Sequence, residues 1–175
     1  MDLVRECLEI AIQAPSGSNS QPWHWMVITD PAVRAQVGEY YRLSTERYLA
    51  ARQPQDATGL RIRDSAAYLG EHMGDVPVLV LGCIEVAAPW MLQGNQAGLW
   101  GSLLPAAWSY MLACRTRGLG TAWTTLHLAY EKEVAELLGL PDNVRQGVLI
   151  PTAYYTGETF RPAPRRSLPV HENHW

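Results

Sequence analysis

"APSGSNSQPWHW", residues 14–25, joins a helical pattern to a strand pattern. Before it, residues 2–13 place Leu3, Cys7, Ile10 and Ala11 on one helical face, with Asp2 positioned to cap. Ala14-Pro15 ends that pattern. After it, "HWMVI" (24–28) reads as a short strand. Three serines, a glycine and an asparagine crowd the bend between them. Small polar groups in that number exceed what a simple turn needs.

The same alternation continues outward. Residues 31–52 start at a proline suited to a first helical turn and read as a helix. A loop at 53–59 precedes a second helix running to about Met73. "VPVLVLGCI" (76–84) is the clearest buried strand. A long apolar helix spans roughly 97–117 and stops at Gly118. "GTAWTTL" (120–126) reads as a strand with a polar end. "YEKEVAELLGL" (130–140) is an amphipathic helix closed by Gly139. "GVLIPTAYY" (147–155) is a strand in which Pro151 signals an edge or a bulge. Four strands alternating with helices predict a three-layer or mixed α/β arrangement.

Composition narrows the class. With 175 residues, 47% hydrophobic and 18% charged, the chain suits one domain with a real core. A net charge of −3 and a pI near 5.9 argue against nucleic acid as the main partner. Lys132 is the only lysine among 14 basic residues; the rest are arginines, planar cations suited to phosphate and carboxylate. Cys7, Cys83 and Cys114 lie in apolar runs and read as buried reduced thiols, not a disulfide framework or zinc site. Asp2, Arg5, Glu6 and Glu9 interrupt any signal peptide, which predicts a cytoplasmic protein. Val86–Cys114 carries no charge, but its prolines and amides favour a helix buried in protein or in a subunit interface over a membrane span.

Several chemistries have no motif. There is no phosphate-binding loop of the G-x-x-x-x-G-K-[ST] type and no G-x-S-x-G elbow. "GLGTAW" (118–123) lacks the third glycine of a dinucleotide fingerprint and follows a helix. "HENH" (171–174) reads as a solvated terminus, not a metal site. Trp23, Trp25, Trp100 and Trp108 read as core or interface aromatics, and His24 and His127 as structural histidines. Arg61 and Arg63 read as solvated surface that could also meet a nicotinamide phosphate. Three clusters remain: Ser16–Gln21; Thr121, Thr124, Thr125 and His127; and Arg161, Arg165 and Arg166. Hydroxyls, amides and arginines in that inventory suit a large planar, polar, phosphorylated ligand that brings its own chemistry.

The motifs "APSGSNSQPWHW" (14–25), "GLGTAWTTLHL" (118–128) and "GLPDNVRQGVLIPTAYYTG" (139–157), followed by an arginine-containing tail, resemble the flavin-dependent nitroreductase family. The resemblance implies an α+β, three-layer fold with a central mixed sheet flanked by helices. It implies an intertwined homodimer with one FMN at each subunit interface. Residues 1–157 would form the domain, and 158–175 an extended arm on the partner subunit. The apolar helix at 97–117 would be the dimer helix. By the same resemblance, Pro15, Ser16, Gly17, Ser18, Asn19 and Gln21 meet the flavin from one subunit. Trp123, Thr124, Thr125 and Leu126 lie near its redox-active edge, and Arg165 and Arg166, with Arg161 as a third, approach its phosphate. The implied reaction passes hydride from NADH or NADPH through the flavin to a nitroaromatic or quinone-like acceptor, with no catalytic side chain and no metal. The family's usual Arg-x-Ser-x-Arg segment precedes the first helix, and the sequence given begins at Met1, directly before that helix. A weaker hold on the phosphate is therefore expected. The alternatives are a flavin-binding or storage protein of the same fold without turnover, or another flavin chemistry such as dehalogenation.

Overall fold

The computed structural model describes residues 1–94, 96–157, 160 and 162–175. Four strands form one sheet: β1 (Trp23–Ile28), β2 (Val78–Glu85), β3 (Leu119–Thr121) and β4 (Val144–Tyr154), in the order β1-β2-β4-β3. Every pairing among these strands is antiparallel, so the expected mixed sheet is antiparallel within this chain. Among the described residues, five α-helices flank it: α1 (Asp2–Ala11), α2 (Pro31–Ala50), α3 (Ala57–His72), α4 (Gln96–Arg115) and α5 (Glu131–Leu138).

Strand alternation divides the core into two layers. Val80 of β2 and Val148 and Ile150 of β4 pack with Val4, Cys7 and Ala11 of α1 and Ala107, Tyr110 and Cys114 of α4. On the other face, Leu79, Leu81, Cys83 and Leu149 pack with Val37 and Tyr41 of α2 and with Met73. The three-layer architecture follows. The three cysteines are buried free thiols, and burial pushes the Cys83 thiol up to about 12. The face of α1 is rotated from the expected one: Val4 is buried and Ile10 is exposed. Asp2 makes no capping hydrogen bond and instead lies in the first turn, where its charge suits the helix dipole. Asp30 does cap α2, accepting from the backbone N–H groups of Ala32 and Val33, and Asp56 caps α3 through Gly59. Gly139 ends α5 in the left-handed conformation with φ 65°.

Pro151 corrects a sequence expectation. It lies on β4, an interior strand between β2 and β3. Leu149 exchanges both backbone hydrogen bonds with Thr124, so Pro151, two residues on, turns its missing N–H to the same side. The register places Ala122 opposite it. With no donor there, the strand expected at 120–126 is interrupted: pairing stops after Thr121 and returns as a single bridge at Thr124. A bulge does occur, but at Gly147, where the β2–β4 register shifts between Gly82 and Cys83.

Helix α4 is apolar on both sides. Leu99, Ser102, Leu103, Ala106, Ala107, Tyr110, Ala113 and Cys114 face the interior, and the Tyr110 hydroxyl bonds Thr152 Oγ1 at 3.0 Å. Gly98, Gly101, Pro105, Trp108 and Leu112 form an exposed stripe along the opposite side. No helix among the described residues is long and apolar enough to cross a membrane. Beyond β4, the Arg115 guanidinium lies over the Tyr155 and Phe160 rings at 4.6 and 3.9 Å, and residues 162–175 are exposed without helix or strand.

Candidate functional site

The bend that opens the sequence is a 3₁₀ turn at Gly17–Asn19. Ser18, Asn19 and Gln21 have φ of 53°, 54° and 50°. The left-handed region costs an L-residue roughly 1–2 kcal/mol, less for asparagine. Three such residues within four positions are a concentration of local strain. The turn is held by specific bonds. Ser16 Oγ accepts from the Gln21 N–H at 3.0 Å, and Gln21 Nε2 donates to Asn19 Oδ1 at 3.2 Å. The Gly17 N–H donates to Ser102 Oγ on α4 at 2.9 Å, and that hydroxyl donates onward to the Gly98 carbonyl. Ser18, Asn19, Ser20 and Gln21 are all exposed. The strain thus supports no core packing; it presents polar groups outward. Gly17, Ser18, Ser20 and Pro22 border a cavity of about 340 Å³ whose other wall is Trp90, Met91 and the start of α4.

The second segment is the interrupted strand. Thr124 is buried and returns to the ladder, its hydroxyl donating to the Leu149 carbonyl at 2.6 Å. Backbone N–H groups alternate along a strand, so the Trp123 N–H points away from β4. Trp123 and Thr125 are exposed. Ala122, Trp123 and Thr124 line a groove of about 370 Å³ with Tyr41 of α2 and Thr58, Arg61, Ile62, Ser65, Ala66 and Leu69 of α3. Burial raises the Tyr41 hydroxyl above its ordinary value, partly offset by hydrogen bonds to Thr124 and Thr45.

The two segments line separate cavities with no residue in common. Arg165 and Arg166 are not among the described residues that border either; Arg165 Nη1 donates to the adjacent Pro164 carbonyl at 3.3 Å. Arg161 lies outside the described residues. His127, grouped with the threonines by sequence, is fully buried, and neither ring nitrogen has a hydrogen-bond partner among the described residues. Burial lowers it to about 4, so it is a neutral core group and not part of an exposed site. Sequence reasoning passed over Ile62, Ser65 and Leu69, whose helical spacing along α3 puts them beside Trp123 only once α3 packs on α2.

These features define a class: an α+β sandwich with an antiparallel sheet whose polar loop segments stand at separate surfaces of one chain. The chain belongs to the nitroreductase family, whose model matches residues 1–154. It is 26% identical over 151 residues to an iodotyrosine deiodinase from Thermotoga neapolitana, covering 84% of this chain and 73% of that protein. It is 25% identical over 178 residues to a protein from Archaeoglobus fulgidus described as a putative NADH dehydrogenase/NAD(P)H nitroreductase, covering 98% and 85%. An oxidized iodotyrosine deiodinase bound to FMN and 3-iodo-L-tyrosine shares the fold, with TM-score 0.76 at 22% identity, over 99% of this chain and 88% of that one.

Proposed function

We propose that the protein is an FMN-dependent oxidoreductase that takes hydride from NADH or NADPH and reduces a nitroaromatic or quinone-like acceptor. The observation that carries this reading is the strained turn at Ser16–Gln21, built to hold polar groups outward where they serve no packing. The donor set suits the cofactor. Ser18 and Ser20 hydroxyls and the Asn19 amide match a polar ring edge and a sugar chain, and the outward Trp123 N–H matches a ring acceptor. Arg165 and Arg166, with Arg161, supply planar cations for a phosphate. When bound, FMN supplies the redox chemistry, as hydride acceptor and then donor.

The site is composed from two subunits in this reading. One contributes Pro15, Ser16, Gly17, Ser18, Asn19 and Gln21; the other contributes Trp123, Thr124, Thr125 and Leu126. The two cavities in one chain, and the unpartnered apolar stripe of α4, support it. Residues 1–157 then form the domain and 158–175 the arm laid on the partner. The side chains position and enclose; none is asked to act as nucleophile or base.

A second reading, reductive dehalogenation of a halogenated aromatic, is favoured by the likeness to iodotyrosine deiodinases. The purified protein should show flavin absorbance or take up added FMN, and anaerobic NADH or NADPH should bleach it. Protein that stays colourless after FMN addition overturns the proposal. Bound flavin that neither nucleotide reduces indicates a binding protein without turnover. Iodide release from 3-iodo-L-tyrosine, with no reduction of a nitroaromatic, selects the second reading.

A further inference from the structure

The groove beside Trp123 carries a charge that nothing in the fold requires. Arg61 projects from the first turns of α3 into the groove's lining, and its one hydrogen bond in the described chain runs from Nη2 to Thr58 Oγ1, at 3.2 Å. No carboxylate pairs with it among the described residues, although Asp64 stands one turn away. By contrast, Arg42, on the neighbouring helix α2, is held by both Glu39 and Glu46. Among the described residues, none that lines the groove is acidic. In a chain of net charge −3, a guanidinium that no carboxylate among the described residues pairs, in a groove whose described lining is free of acids, selects for anions. Thr58 and Ser65 add hydroxyls beside it, and Ile62, Ala66, Leu69 and the Trp123 ring supply apolar surface.

We propose that this groove is a substrate subsite for a planar aromatic acceptor bearing a carboxylate. Arg61 binds the carboxylate through its planar fork, and the ring lies along Ile62, Leu69 and Trp123. The assignment rests on the proposed function in one respect: the groove shares Trp123 and Thr124 with the segment assigned to the flavin edge, so a ring held there lies next to the cofactor. The groove itself, its charge and its lining do not depend on that reading.

The test uses the full chain, after incubation with FMN, with 4-nitrobenzoate and its uncharged counterpart 4-nitrobenzamide as probes. Binding is measured by calorimetry and by quenching of tryptophan fluorescence, so no turnover is needed. Wild type should bind the carboxylate about tenfold or more tightly than the amide, the effect of one charge-assisted hydrogen bond. Arg61→Gln should abolish that preference while leaving amide affinity, melting temperature and flavin absorbance unchanged. Arg61→Lys should restore part of it. Equal affinity for the two probes in wild type overturns the proposal, as does a preference that survives Arg61→Gln. A variant that raises the KM for NADPH but not for NADH, with the nitrobenzoate preference intact, also overturns it and assigns Arg61 to a dinucleotide phosphate. Loss of flavin absorbance in wild type would instead strike the proposed function; the two-probe comparison would still decide the groove.

Discussion

The backbone N–H of Gly17 donates a 2.9 Å hydrogen bond to the hydroxyl of Ser102, 85 residues along the chain. That bond fastens the strained turn after α1 to the inner side of α4. The serine hydroxyl donates in turn to the Gly98 carbonyl one helical turn back, so it serves as an acceptor for the turn without leaving its own proton idle. The proposed cofactor turn and the proposed dimer helix are therefore one mechanical unit.

Ser102→Ala removes the acceptor and leaves the part-buried Gly17 N–H unpaired. A lost partner of this kind costs about 1–3 kcal/mol. The melting temperature should fall modestly, and the FMN dissociation constant should rise about tenfold as Ser18 and Asn19 relax from their left-handed conformations. Denaturant titration and flavin fluorescence read the two effects separately. Unchanged FMN affinity would detach the turn from the cofactor.

Trp108 and Leu112 stand on the exposed stripe of α4, each about half exposed (54% and 51%). Placing a charge there by Trp108→Glu or Leu112→Glu should convert a dimer to a monomer, because desolvating an unpaired carboxylate in an apolar interface costs several kcal/mol. Light scattering after gel filtration gives the mass. Flavin should be lost with the dimer if the site is shared between subunits. A wild-type protein that is already monomeric would refute the composite site.

Gly147 stands at the bulge on β4, where an added Cβ would come within 2.5 Å of Leu103 Cδ2 and 3.1 Å of the Trp100 ring. Gly147→Ala should destabilise the fold by about 1–3 kcal/mol through overpacking. Gly101, on the exposed side of α4, would meet nothing within 4 Å. Gly101→Ala should leave stability unchanged or raise it by about 0.5–1 kcal/mol, since glycine is a poor residue for a helix interior. Both are best measured in the Trp108→Glu background, where only packing within one chain is read.

His127 is neutral in the folded protein down to about pH 4, whereas the ordinary histidine value is 6.5. Between those values the unfolded chain binds a proton that the folded chain refuses. Stability is therefore fully present above pH 6.5, falls as pH drops towards 4, and takes no further loss from this group below that. The total is on the order of 3 kcal/mol. Urea midpoints at pH 7 and pH 4.5 should differ less in His127→Leu, which also removes two unpartnered buried nitrogens. An identical pH dependence in the variant would remove His127 as the cause.

The elements with strong local signals were legible in the sequence. Apolar β2, proline-started α2, the long apolar α4 and glycine-closed α5 all stand where periodicity and capping place them. The elements misread are those whose form depends on a neighbour. The run at 120–126 has the composition of one strand, but Pro151 on β4 withholds a donor at Ala122, and the ladder breaks there. Pro151 itself signals an edge or a bulge; it lies at neither, and an interior strand tolerates it because its donorless side meets that break. His127, which reads as a structural histidine, is buried in the core, while of the threonines beside it in sequence Thr124 is buried and Thr125 exposed, a division that spacing alone does not register.

The candidate site divides in the same way. Sequence alone determined the family, and it pointed to the polar turn at Ser16–Gln21 and the segment at Trp123–Leu126 as candidates, because these are short contiguous motifs with their chemistry written in consecutive residues. Only the tertiary structure decided that the two line different cavities, that Ser102 holds the first of them, and that Arg61 and the Ile62–Leu69 side of α3 stand over the second. The physical reason is range. Capping, periodicity and turn chemistry act over a few residues, whereas a groove between α3 and a broken strand exists only after helices and sheet have packed, and packing joins residues that the sequence holds far apart.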